Sequence, residues 1–281
     1  MRLISHPAFL QKEVIRLKKK GKAIGFVPTM GFLHEGHLSL MRRAQRDCDI
    51  VVVSIFVNPL QFGPVEDFRN YPRNLERDSA VCKKYTDILF VPRVDTMYPG
   101  RFLTSVNVRE LGSMYCGVSR PGHFHGVTTV VNKLFNIVLP DVAYFGQKDA
   151  QQAMIIKKMV EDLNMPIKIV VLPTVREHDG LALSSRNTYL SVREREDATA
   201  LYRSLLLARN LSKKKQYNCA MIIAELRRFI KKVKTATIDY IGIADSKTLA
   251  PLEHIRTDAL VLLAVYIGKT RLIDNMVVHK R

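Results

Sequence analysis

Ile50–Val57 (IVVVSIFV) is apolar without alternation, so a strand there must be covered on both faces. Strands buried in that way belong to parallel sheets, whose crossovers lay helices over both sides. The flanking segments agree. Short apolar runs at Lys22–Val27, Asp87–Val91, Val142–Phe145 and Ile167–Leu172 alternate with helical patterns over residues 7–20, from His37 to about Asp47, and over Leu75–Tyr85, His123–Val138 and Asp149–Leu163. This spacing predicts βαβ units and a doubly wound α/β sheet, with Thr104–Val108 as a further edge strand. After Pro173 the pattern changes to helices over 193–212 and 218–234, then strands at Ile238–Ala244, Ala259–Ile267 and Arg271–Asp274. The expected organisation is a nucleotide-binding domain over residues 1–175 and a smaller α+β domain over 176–281, joined near 174–187.

Composition excludes several classes. The four cysteines, Cys48, Cys82, Cys116 and Cys219, are widely spaced with no C-x-x-C pair, so zinc ribbons and a disulfide framework are not expected and a reducing cytoplasm fits. No stretch approaches the roughly 18–20 apolar residues of a membrane span, and no signal-peptide core is visible. The net charge of +18 favours anionic partners, but it divides equally on either side of residue 173. The clusters Lys18–Lys20, Lys213–Lys215 and Lys231–Lys234 fit solvated helix faces better than a nucleic-acid site.

Val27–Leu40 (VPTMGFLHEGHLSL) reads as a strand, a glycine-containing turn and a helix start. Its unpaired N–H groups and the helix dipole suit a phosphate. His34 and His37, at i and i+3, share one face, and Gly36 between them would let a base or phosphate approach closely. H-x-x-H is also compatible with a metal, although two ligands make a poor zinc site. FGQKD (145–149) lies at a second strand-to-helix turn, where Lys148 could meet a phosphate and Asp149 could bind ribose or cap the next helix. LSSRN (183–187) offers two hydroxyls and a guanidinium on a loop, or else an ordinary polar linker. Gln61 and Gln152 are neutral amides able to hold a hydroxyl or carboxylate.

Seven motifs, in order and across almost the whole chain, closely resemble the pantoate–β-alanine ligase (pantothenate synthetase) family of the nucleotidylyltransferase superfamily. They are PTMGFLHEGH (28–37), VVVSIFVNPLQF (51–62), YPRNLERD (71–78), SRPGHFHGV (119–127), FGQKDAQQ (145–152), LALSSRN (181–187) and RLIDN (271–275). The resemblance implies a Rossmann-like sheet with a C-terminal lid domain, a cytoplasmic homodimer and a two-step reaction. In the first step the pantoate carboxylate attacks the α-phosphorus of ATP, giving pantoyl adenylate and pyrophosphate. In the second, β-alanine attacks the acyl carbon, releasing pantothenate and AMP.

By carry-over, Met30, Gly31, Phe32, Leu33, His34, Glu35, Gly36 and His37 would bind ATP. Gly146, Gln147, Lys148, Asp149, Val175, Leu183, Ser184, Ser185 and Arg186 would complete that site. His34, His37, Lys148 and Arg186 are the expected catalytic groups, acting with Mg²⁺. Gln61, Gln152, Asn58, Phe56, Val127, Val130 and Val131 would receive pantoate and β-alanine, and Asp78 is a candidate magnesium ligand or else a carboxylate on an exposed helix. No nucleic-acid or membrane partner is expected. The chain departs from many relatives at His125, Gln147, Leu183 and Phe32. A different adenylyltransferase or a basic RNA-binding protein are the rival readings; the first lacks a reason for the two glutamines, and the second predicts a one-sided basic stripe.

Overall fold

In the computed structural model, which describes residues 1–64 and 66–280, six strands form one parallel sheet in the order β1-β4-β3-β2-β5-β6. They are β1 (Arg2–Ile4), β2 (Ile24–Thr29), β3 (Ile50–Ile55), β4 (Ile88–Phe90), β5 (Val142–Gly146) and β6 (Lys168–Leu172). The intervening helices are α1 (Pro7–Lys19), α2 (Glu35–Asp47), α3 (Leu75–Cys82), the short α4 (Val94–Met97) and α5 (Cys116–Ser119), α6 (His123–Val138) and α7 (Ala150–Asp162). Two compact units emerge: Met1–Gly146 with Ile155–Pro173, and Gln147–Met154 with Thr174–Arg281.

Burial on both faces of β2 and β3 is as the unalternating runs require. Leu40, Met41 and Ala44 of α2 pack with Val27, Val51, Val53, Leu89 and Tyr144 on one side of the sheet. At the amino-terminal strand ends, carboxylates take backbone N–H groups: Asp49 from Ala23 (2.9 Å), Asp141 from Ile24 (2.7 Å) and Asp87 from Val51 (2.8 Å). These bonds satisfy donors that the ladder leaves over at that end.

Two expectations are corrected. Thr104–Val108 is not a strand; the edge beside β4 is β1, too short to be read from sequence. The backbone of Val106 is occupied by side chains of α6: its carbonyl accepts from Thr128 (2.5 Å) and Thr129 (3.3 Å), and its N–H donates to Thr129 Oγ1 (3.1 Å). The helix expected over 193–212 is two, α8 (Val192–Asp197) and α9 (Ala200–Lys213), interrupted where Thr199 Oγ1 turns back to Glu196 O (2.8 Å).

The second unit holds an antiparallel sheet in the order β7-β8-β9, formed by β7 (Ala236–Asp245), β8 (Ala259–Ile267) and β9 (Thr270–Val278). Helices α9 and α10 (Cys219–Ile230) cover it, burying Leu201, Leu205, Ile222 and Leu226 against Val261 and Leu263. The segment expected as a polar join is a bonded hairpin in this unit. Arg176 bridges to Ala182, Arg195 pairs with Glu177 (2.6 Å) and Asp179 (2.8 Å), and Gly180 turns the chain at φ +94°.

A Cβ on Gly180 would lie 1.9 Å from the Tyr202 ring, so strain and overlap act together there. Gly180→Ala is therefore expected to cost about 2 kcal/mol or more, read as a lower denaturant midpoint; an unchanged midpoint would contradict this packing.

Candidate active site

Strands β3, β4 and β1 extend the sheet from one side of β2, and β5 and β6 from the other, so the strand order reverses between β2 and β5. Ligands of open α/β sheets bind at the carboxyl end of such a reversal. Pairing of β2 with β5 covers only Gly25–Val142 and Phe26–Ala143. Pro28, which ends the apolar run, therefore sits inside β2 without costing that side a ladder bond, and β2 runs on to Thr29. The Thr29 hydroxyl donates to Ser54 O (2.7 Å) and accepts from Gly31 N (3.2 Å).

The turn then passes through left-handed backbone at Gly31 (φ +87°) and Phe32 (φ +48°). Gly31 suits that conformation; Phe32 does not, and contacts from α3 hold it. Asp78, 1% exposed, accepts Phe32 N–H (2.7 Å) and Leu33 N–H (2.8 Å), one on each carboxylate oxygen. Arg77 donates to Leu33 O (2.9 Å) and to Asp78 (3.2 Å), and its guanidinium lies 4.8 Å from the centre of the Phe32 ring. The aromatic ring of this turn thus has a cationic partner one residue before Asp78. The Asp78 carboxylate organises the turn: each oxygen accepts a backbone N–H, and one also takes the Arg77 guanidinium.

His34 caps α2, with the His37 and Leu38 N–H groups donating to its carbonyl at 2.8 and 3.1 Å. The two imidazoles lie against each other, tilted by 40°, with centroids 4.1 Å apart. His34 N–H donates to His37 Nδ1 (3.3 Å). A ring nitrogen that accepts a hydrogen bond cannot carry the proton, so neutral His37 carries it on Nε2. Gly36 has a packing reason of its own. A Cβ there would stand 2.9 Å from the His34 ring, so the glycine makes room for that imidazole. Glu35 is exposed and pairs with Arg42.

Beside this turn, the Gln61 side chain is fixed from two directions. Asn58 Nδ2 donates to Gln61 Oε1 (3.1 Å), and Gln61 Nε2 donates to Met30 Sδ (3.1 Å). Asn58, 1% exposed, also donates to Gly126 O (3.1 Å) and accepts from Leu60 N (3.2 Å) and Tyr98 Oη (2.8 Å), which occupies its whole side-chain amide. Burial pushes the Tyr98 phenol far above its ordinary range, so it remains a donor. The Gln61 carbonyl accepts from Arg120 (3.3 Å) and lies 2.8 Å from His123 Nδ1, while Arg120 forks onto Glu66. Although burial works against ionisation, the Arg120 guanidinium holds the Glu66 carboxyl below its usual range. Gly126 lets α6 meet this turn, since a Cβ would fall 2.1 Å from Leu60 O. Phe56, Val127, Val130 and Val131 are all buried.

In the second unit Gln147–Asp149 forms a single tight turn directly after β5. Lys148 Nζ lies 3.5 Å from Asp149 Oδ1, and Gln152 is half-buried in the first turn of α7. Leu183 N–H donates to Val175 O (3.0 Å), joining two expected site residues across the hairpin. Ser184 caps the turn Ser185–Tyr189 by accepting Arg186 N–H (3.3 Å), and Ser185 is buried. His125 is exposed.

Sequence reasoning missed the turn-holding role of Asp78 and the Arg120–Glu66–His123 support of Gln61. The only signal for either was membership in an acidic or basic motif. It noted RLIDN without a role, and Asp274 and Asn275 prove to be buried hydrogen-bonding residues.

A parallel sheet with a histidine-bearing turn and helix start at its reversal defines a nucleotide-binding α/β enzyme. Comparison with known proteins narrows this. A model of the Pantoate-beta-alanine ligase family matches residues 2–277. The pantothenate synthetase of Caldicellulosiruptor saccharolyticus is 54% identical over 95% of this chain and 96% of its own. That of Moorella thermoacetica is 52% identical over 99% of each. Among solved structures, the pantothenate synthetase of Thermus thermophilus aligns with a TM-score of 0.93 and 46% identity over 98% of this chain and 99% of its own. The pantoate-beta-alanine ligase of Francisella tularensis, complexed with beta-gamma ATP and beta-alanine, aligns at 0.82 and 37% identity over 98% and 97%. The chain belongs to the pantoate–β-alanine ligase family; it is a ligase.

Removing the Asp78 carboxylate would leave two inward N–H groups without acceptors. Asp78→Ala is expected to lower stability by about 2–4 kcal/mol, whereas Glu76→Ala, exposed on the same helix, should stay within about 0.5 kcal/mol. Equal denaturation midpoints for the two variants would contradict the assignment.

Proposed function

We propose that this ligase joins (R)-pantoate to β-alanine at the expense of ATP, through pantoyl adenylate, releasing pyrophosphate and AMP. The observation that carries this reading most is the His37 ring. Its Nδ1 is occupied by backbone, leaving an N–H on Nε2 at the helix start where the sheet order reverses. Full-length similarity to pantothenate synthetases, including one solved with ATP and β-alanine ligands, supports the substrates.

In the first step a pantoate carboxylate oxygen attacks the α-phosphorus and the bond to pyrophosphate breaks. Negative charge grows on the phosphate oxygens and the leaving group, so the protein contributes donors and cations rather than a nucleophile. His37 and His34 act as donors to phosphate, with the backbone of Met30, Gly31, Phe32, Leu33, Glu35 and Gly36 lining the nucleotide. Lys148 and Arg186 supply positive charge, Ser184 and Ser185 hydroxyl donors. Gly146, Gln147, Asp149, Val175 and Leu183 line the remainder. Gln61 and Gln152 orient pantoate by hydrogen bonds that add no charge, and Asn58 acts by holding Gln61. Phe56, Val127, Val130 and Val131 enclose the gem-dimethyl group. In the second step the β-alanine amine, having lost its proton, attacks the acyl carbon and AMP departs.

Magnesium enters this reading as part of the MgATP substrate. Among the described residues no three His, Cys, Asp or Glu side chains converge as a metal site, and Asp78 is committed to backbone. We further propose residues 1–175 as the ATP- and pantoate-binding domain, 176–281 as a lid domain, and a homodimer formed through the former. A cytoplasmic location is supported by four free cysteines. Among the described residues no helix is long and apolar enough to cross a membrane.

Protein incubated with pantoate, β-alanine and MgATP should release AMP in a manner dependent on both acids. AMP formed only with a nucleotide or RNA acceptor would overturn the reading. His37→Ala should lower kcat by about 10²–10³-fold, as for loss of one transition-state donor; near wild-type turnover would remove His37 from this role.

A further inference from the structure

Asn275, on β9, is 4% exposed, yet every hydrogen-bonding group of its side chain is spent on two residues of another element. Its Nδ2 donates to the carbonyls of Gln147 (2.8 Å) and Lys148 (2.9 Å), and its Oδ1 accepts from Gln147 Nε2 (3.1 Å). Two consecutive carbonyls bound by one amide fix the peptide planes on both sides of the Lys148 α-carbon. The amide is itself fixed from behind. Asp274, 3% exposed, accepts Asn275 N–H (2.8 Å) and forms a two-bond pair with Arg176 at 2.6 and 2.9 Å. Arg176 also donates to Gly180 O (3.0 Å) and lies 4.3 Å from the centre of the Tyr202 ring. The Gln147–Lys148 backbone is therefore tied through a regular strand to a buried ion pair, all within the second unit.

We propose that Asn275 is a positioning residue for Lys148: its amide locks the turn that aims the Lys148 ammonium at the anionic groups of ATP. This rests on the reading of Lys148 as an ATP ligand. A lysine is a mobile point charge on a four-carbon stem, so its effectiveness depends on where its backbone starts it. Most of the ordering cost falls on the backbone, and Asn275 meets it before ATP arrives.

The test is a double-mutant cycle on the full chain, with AMP release measured at saturating pantoate and β-alanine while MgATP is varied. Asn275→Ala should lower kcat/KM for ATP by about 10–100-fold, the scale of a misplaced reacting group, and leave KM for β-alanine unchanged. Lys148→Ala should lower it further, and the double variant should match Lys148→Ala within about twofold, because the two residues act as one. Asn275→Asp, close to isosteric, places one carboxylate oxygen against both carbonyls and should fall at least as far as Asn275→Ala, the unchanged KM for β-alanine showing that each variant is folded. Multiplicative effects in the double variant, or a wild-type kcat/KM for Asn275→Asp, would overturn the inference while leaving Lys148 an ATP ligand. An unimpaired Lys148→Ala would overturn both.

Discussion

A carboxylate with almost no access to water, on Asp78, accepts the Phe32 and Leu33 N–H groups and so ties the start of α3 to the end of β2. Much of the first unit's chemistry follows from that bond pair. The turn after β2 must leave a buried strand, pass through two left-handed residues and deliver His34 as a helix cap within five residues. Phe32 resists that path, and without an acceptor its N–H and that of Leu33 would be stranded at the edge of the core. Charge-assisted bonds to one rigid carboxylate outweigh the cost. With the turn fixed, the His34 N–H can reach His37 Nδ1, and the tautomer of the second histidine follows.

The same device recurs at smaller scale. Asn58 holds Gln61 with one side chain and the adjoining turn with the same amide; Arg120 and His123 hold the carbonyl of Gln61; Asn275 holds two carbonyls beside Lys148. In each case a buried or half-buried polar side chain satisfies groups of an irregular segment that carries a proposed site residue. Such segments have no ladder of their own, so their precision depends on the polar side chains packed against them.

The parallel sheet and its helices were legible because burial on both faces writes an unalternating apolar run, as in IVVVSIFV. The second sheet was legible from closely spaced strands after two helices. Strand β1 was not, since three residues held by one neighbouring strand carry no pattern. Thr104–Val108 alternates like a strand, but its backbone partners are threonine hydroxyls of a helix, and periodicity cannot register them. The histidine turn and the Lys148 turn follow β2 and β5, the strand ends at which the residue types placed them. The turn-holding part of Asp78 was not legible, because a carboxylate that accepts two backbone N–H groups and one that binds a cation look alike in sequence. Nor could the sequence show that the missing Cβ of Gly36 leaves room for the His34 ring.

The central claim is that this turn presents His37 Nε2–H to a nucleotide phosphate, and imidazole ¹⁵N NMR of the histidine-labelled protein tests it most directly. The account predicts that the neutral form of the His37 ring carries its proton on Nε2 in the free protein, and that this resonance shifts when MgATP binds. A ring protonated on Nδ1 alone, or an Nε2 signal indifferent to saturating MgATP, would contradict it.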